Sequence, residues 1–302
     1  MSAAPLSTRR VGILANANSG RHGAGALGAE LTTLLRRDGH EVIDLSAPDL
    51  GTARSRSTAA VAGGAVDTLV AIGGDGTAHL AANVCAGQDV ALGILAAGTG
   101  NDNARTLGMP RGDVAAMARL VTVGATRQID LGVTRTPAGD RHFLGVLGGG
   151  FDTLVNDRGK TLRLLHGTPR YLAAVALELP RFRGIPYAVQ VDDVTVDTTA
   201  MLVAVGNGGC FGGGMQVCPD ADVADGLFDV MVLHQIGRLE FLKIFPKVFS
   251  GGHVGHPAVQ ILRGRRVTLD SPGIRSQADG EDFLPLPLQL DVAAGALTIL
   301  AT

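Results

Sequence analysis

Over residues 1–130, short runs of consecutive apolar residues alternate with longer stretches whose apolar positions recur every three to four residues. The runs at 11–15, 41–45, 68–72 and 90–95 are short, rich in Val, Ile and Leu, and read as strands buried on both sides. Helices are expected at 24–37, 77–86 and 113–123, the last opened by Asp113, whose carboxylate can accept first-turn amides. Strands that alternate with helices imply an α/β arrangement, a parallel sheet covered on both faces.

From Arg127 the rhythm changes. Apolar strand-like runs follow one another at 129–134, 143–147, 187–191, 201–205, 227–233 and 265–269, a succession that predicts a β-sandwich. Helical stretches at 170–182 and 239–249 interrupt it, with Leu, Phe and Tyr placed to face a core or an apolar ligand. Beyond Pro285 and Pro287, runs at 288–292 and 296–301 remain. The expected domains are therefore 1–130 and 131–287, with 288–302 returning to the first.

Composition narrows the classes. Hydrophobic residues make up 46% of the 302 and charged residues 18%, which excludes a disordered chain. The 26 basic and 28 acidic side chains leave a net charge of −2, so nucleic acid is not an expected partner. No apolar run is long enough to span a bilayer and the first ten residues lack a signal-like apolar core, so a cytoplasmic protein is expected. Three cysteines without CxxC spacing read as buried thiols.

Glycine-rich segments follow the predicted strands. Asn16-Ala17-Asn18-Ser19-Gly20 stands between a strand and a helix, where free amides suit a phosphate and where a plain turn needs the same residues. Gly73-Gly74-Asp75-Gly76-Thr77 follows the strand at 68–72; Thr77 can cap the next helix, and Asp75 lies at a strand's carboxyl end, where open α/β sheets bind ligands. A carboxylate beside a polyphosphate needs a divalent cation between them, so Asp75 implies Mg²⁺. Gly98-Thr99-Gly100-Asn101-Asp102 again follows a strand; Thr99 and the amides can hold phosphate oxygens, and Asp102 either caps the helix toward Arg105 or orients a base. Gly206-Asn207-Gly208-Gly209, with 212–214 just after, either lines a cleft or forms a glycine-rich hairpin. Asp222 and Asp225, with the Leu227 carbonyl, can wrap one cation or form an Asp-Gly turn. Late in the chain, Asp279-Gly280-Glu281 offers carboxylates able to accept a proton from a hydroxyl nucleophile.

In this order and spacing the Gly73–Thr77 turn, the Gly98-Thr99-x-Asn101-Asp102 segment, Asp222-x-x-Asp225-Gly226-Leu227 and Asp279-Gly280-Glu281 resemble the bacterial diacylglycerol kinase and sphingosine kinase superfamily. The resemblance implies a Rossmann-like nucleotide-binding domain and a β-sandwich-like lipid-binding domain, with ATP and Mg²⁺ as cofactors. It further implies nucleotide and phosphate contacts from Asn16 to Gly20, Ser46, Gly73 to Thr77 and Thr99, and an acidic network of Asp75, Asp102 and Asp130 around catalytic Mg²⁺. Asp222, Asp225 and Leu227 would hold a structural Mg²⁺, and Glu281 would act as base with Asp279 in support. The expected activity is transfer of the γ-phosphoryl group of ATP to diacylglycerol or a similar lipid alcohol.

The chain departs from the family pattern at His79-Leu80, where relatives carry Asn-Glu, and at Ala17, where proline is common. NAD kinases share the Gly-Gly-Asp-Gly-Thr turn and a two-domain plan, so an NAD kinase is the alternative activity, and a non-catalytic nucleotide-binding regulator the second. Arg158, Lys160, Arg163, Arg170, Arg181 and Arg183 would form either a solvated helix face or a basic surface for peripheral contact with the inner face of the membrane. The oligomeric state is open, a homodimer included.

Overall fold

The computed structural model describes residues 8–16, 23–162, 165, 167–180 and 182–301. The chain divides into two compact units, Met1–Ile129 with Gly295–Thr302, and Asp130–Ala294.

The first unit runs β1 (Arg10–Ala15), α1 (Ala24–Arg37), β2 (Glu41–Asp44), α2 (Leu50–Ala62), β3 (Thr68–Gly73), α3 (Asp75–Cys85), β4 (Ala91–Ala96), α4 (Asp102–Leu107) and α5 (Val114–Val123). The strands are parallel in the order β4-β3-β1-β2. β3 and β4 are buried at every position, as continuous apolar runs between two helical layers must be. α1 buries Ala24, Gly28, Leu31 and Leu35, the stripe its periodicity predicts, and packs with α5; α2 packs with α3. Asp113 caps α5 as expected, its Oδ1 accepting the Ala116 N–H at 2.8 Å.

Helix α2 was not expected. Its buried stripe is Ala53, Ser57 and Val61, small residues that carry little apolar signal, and Asp49 caps it by accepting the Thr52 N–H at 2.8 Å.

The second unit contains most of β5 (Thr126–Thr136), then β6 (Gly139–Phe143), β7 (Val146–Gly150), α6 (Phe151–Thr161), α7 (Gly167–Glu178), β8 (Ile185–Val191), β9 (Val194–Gly206), β10 (Cys210–Phe211), β11 (Met215–Gln216), β12 (Phe228–His234), α8 (Arg238–Ile244), a 3₁₀ turn (Phe245–Ser250), β13 (Val259–Gly264), β14 (Arg266–Asp270), β15 (Arg275–Ala278), β16 (Glu281–Pro285) and the start of β17 (Leu288–Leu300). β9 pairs antiparallel with β7, β8 and β12. Alternation along the strands divides the core: Val203, Val205, Phe228, Val230 and Val232 face an inter-strand core with Phe143, Val189 and Leu269. Met201, Ala204, Met231 and Leu233 face the opposite way, against Phe151, Val175, Leu179 and Phe241 of the helices.

Three expected strands change at their edges. The run 143–147 breaks at Leu144-Gly145, because those two amides bind a buried carboxylate instead of a neighbouring strand. α6 follows Gly148-Gly149-Gly150, where turn residues concealed a helix start. The runs 288–292 and 296–301 form one strand, β17, with Gly295 at φ 60 between them.

Candidate active site

Where strand order reverses in a right-handed doubly wound sheet, successive connections leave toward opposite faces and open a crevice at the strands' carboxyl ends. Here β1 leads through α1 to β2 on one side and β3 leads through α3 to β4 on the other, so the crevice lies between the ends of β1 and β3. Asn16 bridges them: its N–H donates to the Ile72 carbonyl at 3.1 Å and its Nδ2 lies 3.4 Å from Thr77 Oγ1. Ala17, Asn18, Ser19 and Gly20 lie outside the described residues. Just beyond β2, Ser46 Oγ accepts the Ala15 N–H at 3.0 Å, and a cavity of about 180 Å³ opens among Ala15, Asn16, Pro48, Asp49 and Thr77.

The Gly73-Gly74 backbone turns straight into α3, which begins at Asp75 with Gly74 as its N-cap. Thr77 does not cap that helix: it sits inside the first turn, buried, with its hydroxyl near Asn16. The second glycine loop backs onto the first, since a Cβ on Gly98 would lie 2.5 Å from Gly74 Cα, which only glycine allows. Asn101 adopts the left-handed conformation, φ 59, and closes its own loop by accepting the Gly98 N–H at 2.9 Å and donating to the Gly98 carbonyl at 2.7 Å.

Asp75 joins the two loops. Its Oδ2 accepts the Asn101 N–H at 2.8 Å and its Oδ1 the Asn103 N–H at 3.0 Å, the leading amides of α4. The capping role considered for Asp102 therefore belongs to Asp75, while Asp102 is ion-paired with Arg105. Gly100 lies between the two carboxylates, since a Cβ there would be 2.7 Å from Asp75 Oδ2 and 3.7 Å from Asp102 Oδ2. Thr99 is exposed at the tip of the loop, and Gly76 lies in the first turn of α3.

In the second unit, Asp279 and Gly280 form the two-residue turn between β15 and β16, with φ 54 and 83, the paired positive angles of a type I′ hairpin. The buried Asp279 carboxylate accepts the Leu144 and Gly145 N–H groups at 3.0 and 2.7 Å. Asn207 holds the same segment, donating to the Leu144 carbonyl at 2.7 Å and to the Asp130 carbonyl at 3.0 Å. The 206–209 loop thus clamps backbone, and the hairpin considered for this region is β10–β11, turned by Gly212 and Gly213. Glu281, by contrast, is exposed, and its carboxylate makes no hydrogen bond or ion pair among the described residues. Its neighbour Asp282 is held below the ordinary carboxylate range, first by the Gln277 amide at 3.0 Å and then by Lys160.

The turn 222–227 offers oxygen donors only, the chemistry a hard cation such as Mg²⁺ prefers. Asp222 Oδ1 accepts the Ala224 N–H and Asp225 Oδ1 the Leu227 N–H, each at 3.0 Å, while Asp130 Oδ2 accepts the Gly226 N–H at 2.7 Å. Arg263 already supplies positive charge, pairing with Asp225 and, at 2.6 Å, with Asp229. Within each unit, among the described residues, no three His, Cys, Asp or Glu side chains gather as a metal-binding group. A cation here would complete its shell with carbonyls and water, as Mg²⁺ commonly does.

One residue escaped the sequence reading. Asp152, at the start of α6, is buried, its Oδ1 has no hydrogen-bond partner among the described residues, and burial pushes its carboxyl up to about 7. It lines an apolar cavity of about 50 Å³ with Tyr171, Met215, Phe241, Phe245 and His253. His253 sits 3.1 Å from the Val217 carbonyl through Nε2, and burial lowers its pKa. The available signal was an acidic residue placed directly after Gly148-Gly149-Gly150-Phe151 in an otherwise apolar run.

Residues 10–134 match the diacylglycerol kinase catalytic domain, and residues 145–301 match the YegS C-terminal NAD kinase beta sandwich-like domain. A diacylglycerol kinase of Mycobacterium tuberculosis is 38% identical over 99% of this chain and 98% of its own. A diacylglycerol kinase of Bacillus subtilis is 31% identical over 71% of each chain. Among solved structures, a diacylglycerol kinase from Bacillus anthracis superposes with a TM-score of 0.74 at 20% identity over 97% of both chains. An NAD kinase from Archaeoglobus fulgidus in complex with ATP gives 0.55 at 11% identity, over 97% of this chain and 93% of its own. At these identities the structural likenesses speak for the fold.

Proposed function

The chain belongs to the diacylglycerol kinase family, and from that premise we propose that it transfers the γ-phosphoryl group of ATP to the hydroxyl of diacylglycerol or a related lipid alcohol. The observation that carries the lipid acceptor is the lining of the cavity behind α8: Phe, Met and Leu side chains, with Tyr171, His253 and one buried carboxyl, suit an acyl-bearing molecule better than a dinucleotide once the cavity, about 50 Å³ when closed, widens. That chemistry disfavours the NAD kinase reading.

In this reading the first unit holds ATP at the carboxyl ends of β1 and β3. Asn16, Ser46, Thr77 and the 180 Å³ cavity are suited to the nucleotide, and the amides of Gly74 and Thr99 to phosphate oxygens, the Gly98 N–H being taken by Asn101. Asp75 acts first by locking the two glycine loops in one geometry, so that their amides are preorganised for the transferring group. Mg²⁺, when bound, would neutralise charge on the phosphates. In the second unit Asp279 has both oxygens engaged by backbone and serves as a positioning residue, which leaves Glu281 as the carboxylate free to accept the hydroxyl proton.

The test is incubation of the purified chain with γ-labelled ATP, Mg²⁺ and a panel of diacylglycerols, sphingoid bases and NAD. Label in a lipid is expected; label in NAD overturns the reading, and label in none points to a regulator. Glu281→Gln should lower turnover by roughly 10²- to 10⁴-fold with unchanged thermal stability. Full activity in that variant would remove Glu281 from the chemistry.

A further inference from the structure

Helix α8 is apolar on two sides. Its inner residues, Phe241 and Ile244, line the cavity with Phe245 and Val248 of the following 3₁₀ turn. Its outer residues Leu239 and Leu242 are 77% and 51% exposed, one turn apart and therefore on one side. The outward face of a helix in a water-soluble fold is normally polar.

Cations surround these leucines. The side chains of Arg238, Lys243 and Lys247 make no ion pair or hydrogen bond among the described residues, and Leu239, Lys243 and Lys247 line one shallow depression with Glu240. The one acid on the helix, Glu240, faces His256 at 3.4 Å. Of the basic groups that the sequence suggested for a membrane surface, Arg158 pairs with Glu178 and Lys160 with Asp157 and Asp282, while Arg170 and Arg183 make no ion pair among the described residues. Arg163 and Arg181 lie outside the described residues.

We infer that the outer face of α8 docks on an anionic lipid bilayer, with Leu239 and Leu242 entering the headgroup–acyl boundary and Arg238, Lys243 and Lys247 meeting lipid phosphates. Two exposed leucines ringed by three unpaired cations are complementary to such a surface, which is apolar beneath and negative above. The inference rests on the lipid-kinase reading for its purpose: the bilayer that supplies the acceptor would lie against the wall of the apolar cavity. At about 50 Å³ that cavity is well below the roughly 300 Å³ of even small ligand sites, so a wall must move to admit a lipid. α8 with its 3₁₀ turn is the wall that carries apolar side chains on both faces.

Docking is measured without catalysis, by sedimenting the full chain with phosphatidylcholine vesicles and with vesicles containing phosphatidylglycerol, in the absence of nucleotide. Binding is expected to the anionic vesicles only, and to weaken in high salt. Leu239→Ser with Leu242→Ser should reduce it by about tenfold or more. Lys243→Gln with Lys247→Gln should reduce it by about fivefold per lysine. Both variants should melt as the parent does and keep its activity on a dispersed short-chain diacylglycerol. Wild-type protein that ignores vesicles, or binds neutral ones equally, overturns the inference, as do variants that bind like the parent. Variants that lose only self-association in size exclusion would assign the face to a second copy of the chain. Inactivity toward every lipid, with vesicle binding intact, would refute the kinase reading and leave the docking face standing.

Discussion

Replacing Asp152 by asparagine should stabilise the protein at pH 8 and hardly change it at pH 4. The carboxyl is buried, with one oxygen unpartnered and its pKa pushed up to about 7 from the ordinary 3.8. A carboxyl raised in the folded state resists ionisation there, so folding is penalised wherever the unfolded chain would ionise it. Below about pH 4 both states hold the proton and no penalty exists. The penalty grows as pH rises through the interval from 3.8 to about 7 and is complete above it. At 1.36 kcal/mol per pKa unit a rise of about three corresponds to about 4 kcal/mol, a large share of the ~5–15 kcal/mol that holds a domain folded. Asparagine keeps the shape and cannot ionise, so its advantage should follow the same curve. Urea unfolding of both proteins at pH 4, 6 and 8 measures it, as a midpoint difference that opens with pH at constant slope. A difference independent of pH, or an asparagine variant less stable at pH 8, would refute the assignment of a raised carboxyl. If Asp152 also reads the polar part of the acceptor, the stabilised variant should lose lipid turnover while retaining nucleotide affinity.

Asp75→Ala removes the acceptor of two α4 amides and should cost about 2 kcal/mol in a thermal melt, before any effect on phosphate handling, with Asp75→Asn costing about half. Gly98→Ala would drive a Cβ into the Gly74 backbone and should cost about 1–3 kcal/mol, weakening nucleotide binding in proportion as the two loops separate. Arg263→Ala leaves Asp229 buried without its counter-ion; a loss of about 3 kcal/mol is expected, low in the range because Arg263 is half exposed, and adding Asp229→Asn should recover most of it. Melts of the single and double variants check this.

Much of the first unit was legible because its signals are local. Four apolar runs bounded by glycine or polar residues, and three helical stripes, are written in adjacent residues, and each reappears within a residue or two. Gly74 and Gly98 stood out in the sequence as parts of glycine-rich turns after strands, and folding brings these two turns backbone to backbone. α2 was invisible because its buried stripe is small residues, and α6 because three glycines precede it.

What the chain by itself determined was therefore the inventory: the parallel α/β half, the strand-rich half, and the carboxylates available for chemistry. Tertiary structure decided what each carboxylate does, since that depends on which distant amides or cations it meets. Asp75 is engaged by a loop 26 residues away, Asp279 by amides 135 and 134 residues away, and Asp225 by Arg263, while the Glu281 carboxylate meets no partner among the described residues. Asp152 becomes notable only once folding strips its water and supplies no partner for one oxygen. Hydration costs and hydrogen-bond partners are properties of the surroundings, and a sequence names the group without its surroundings.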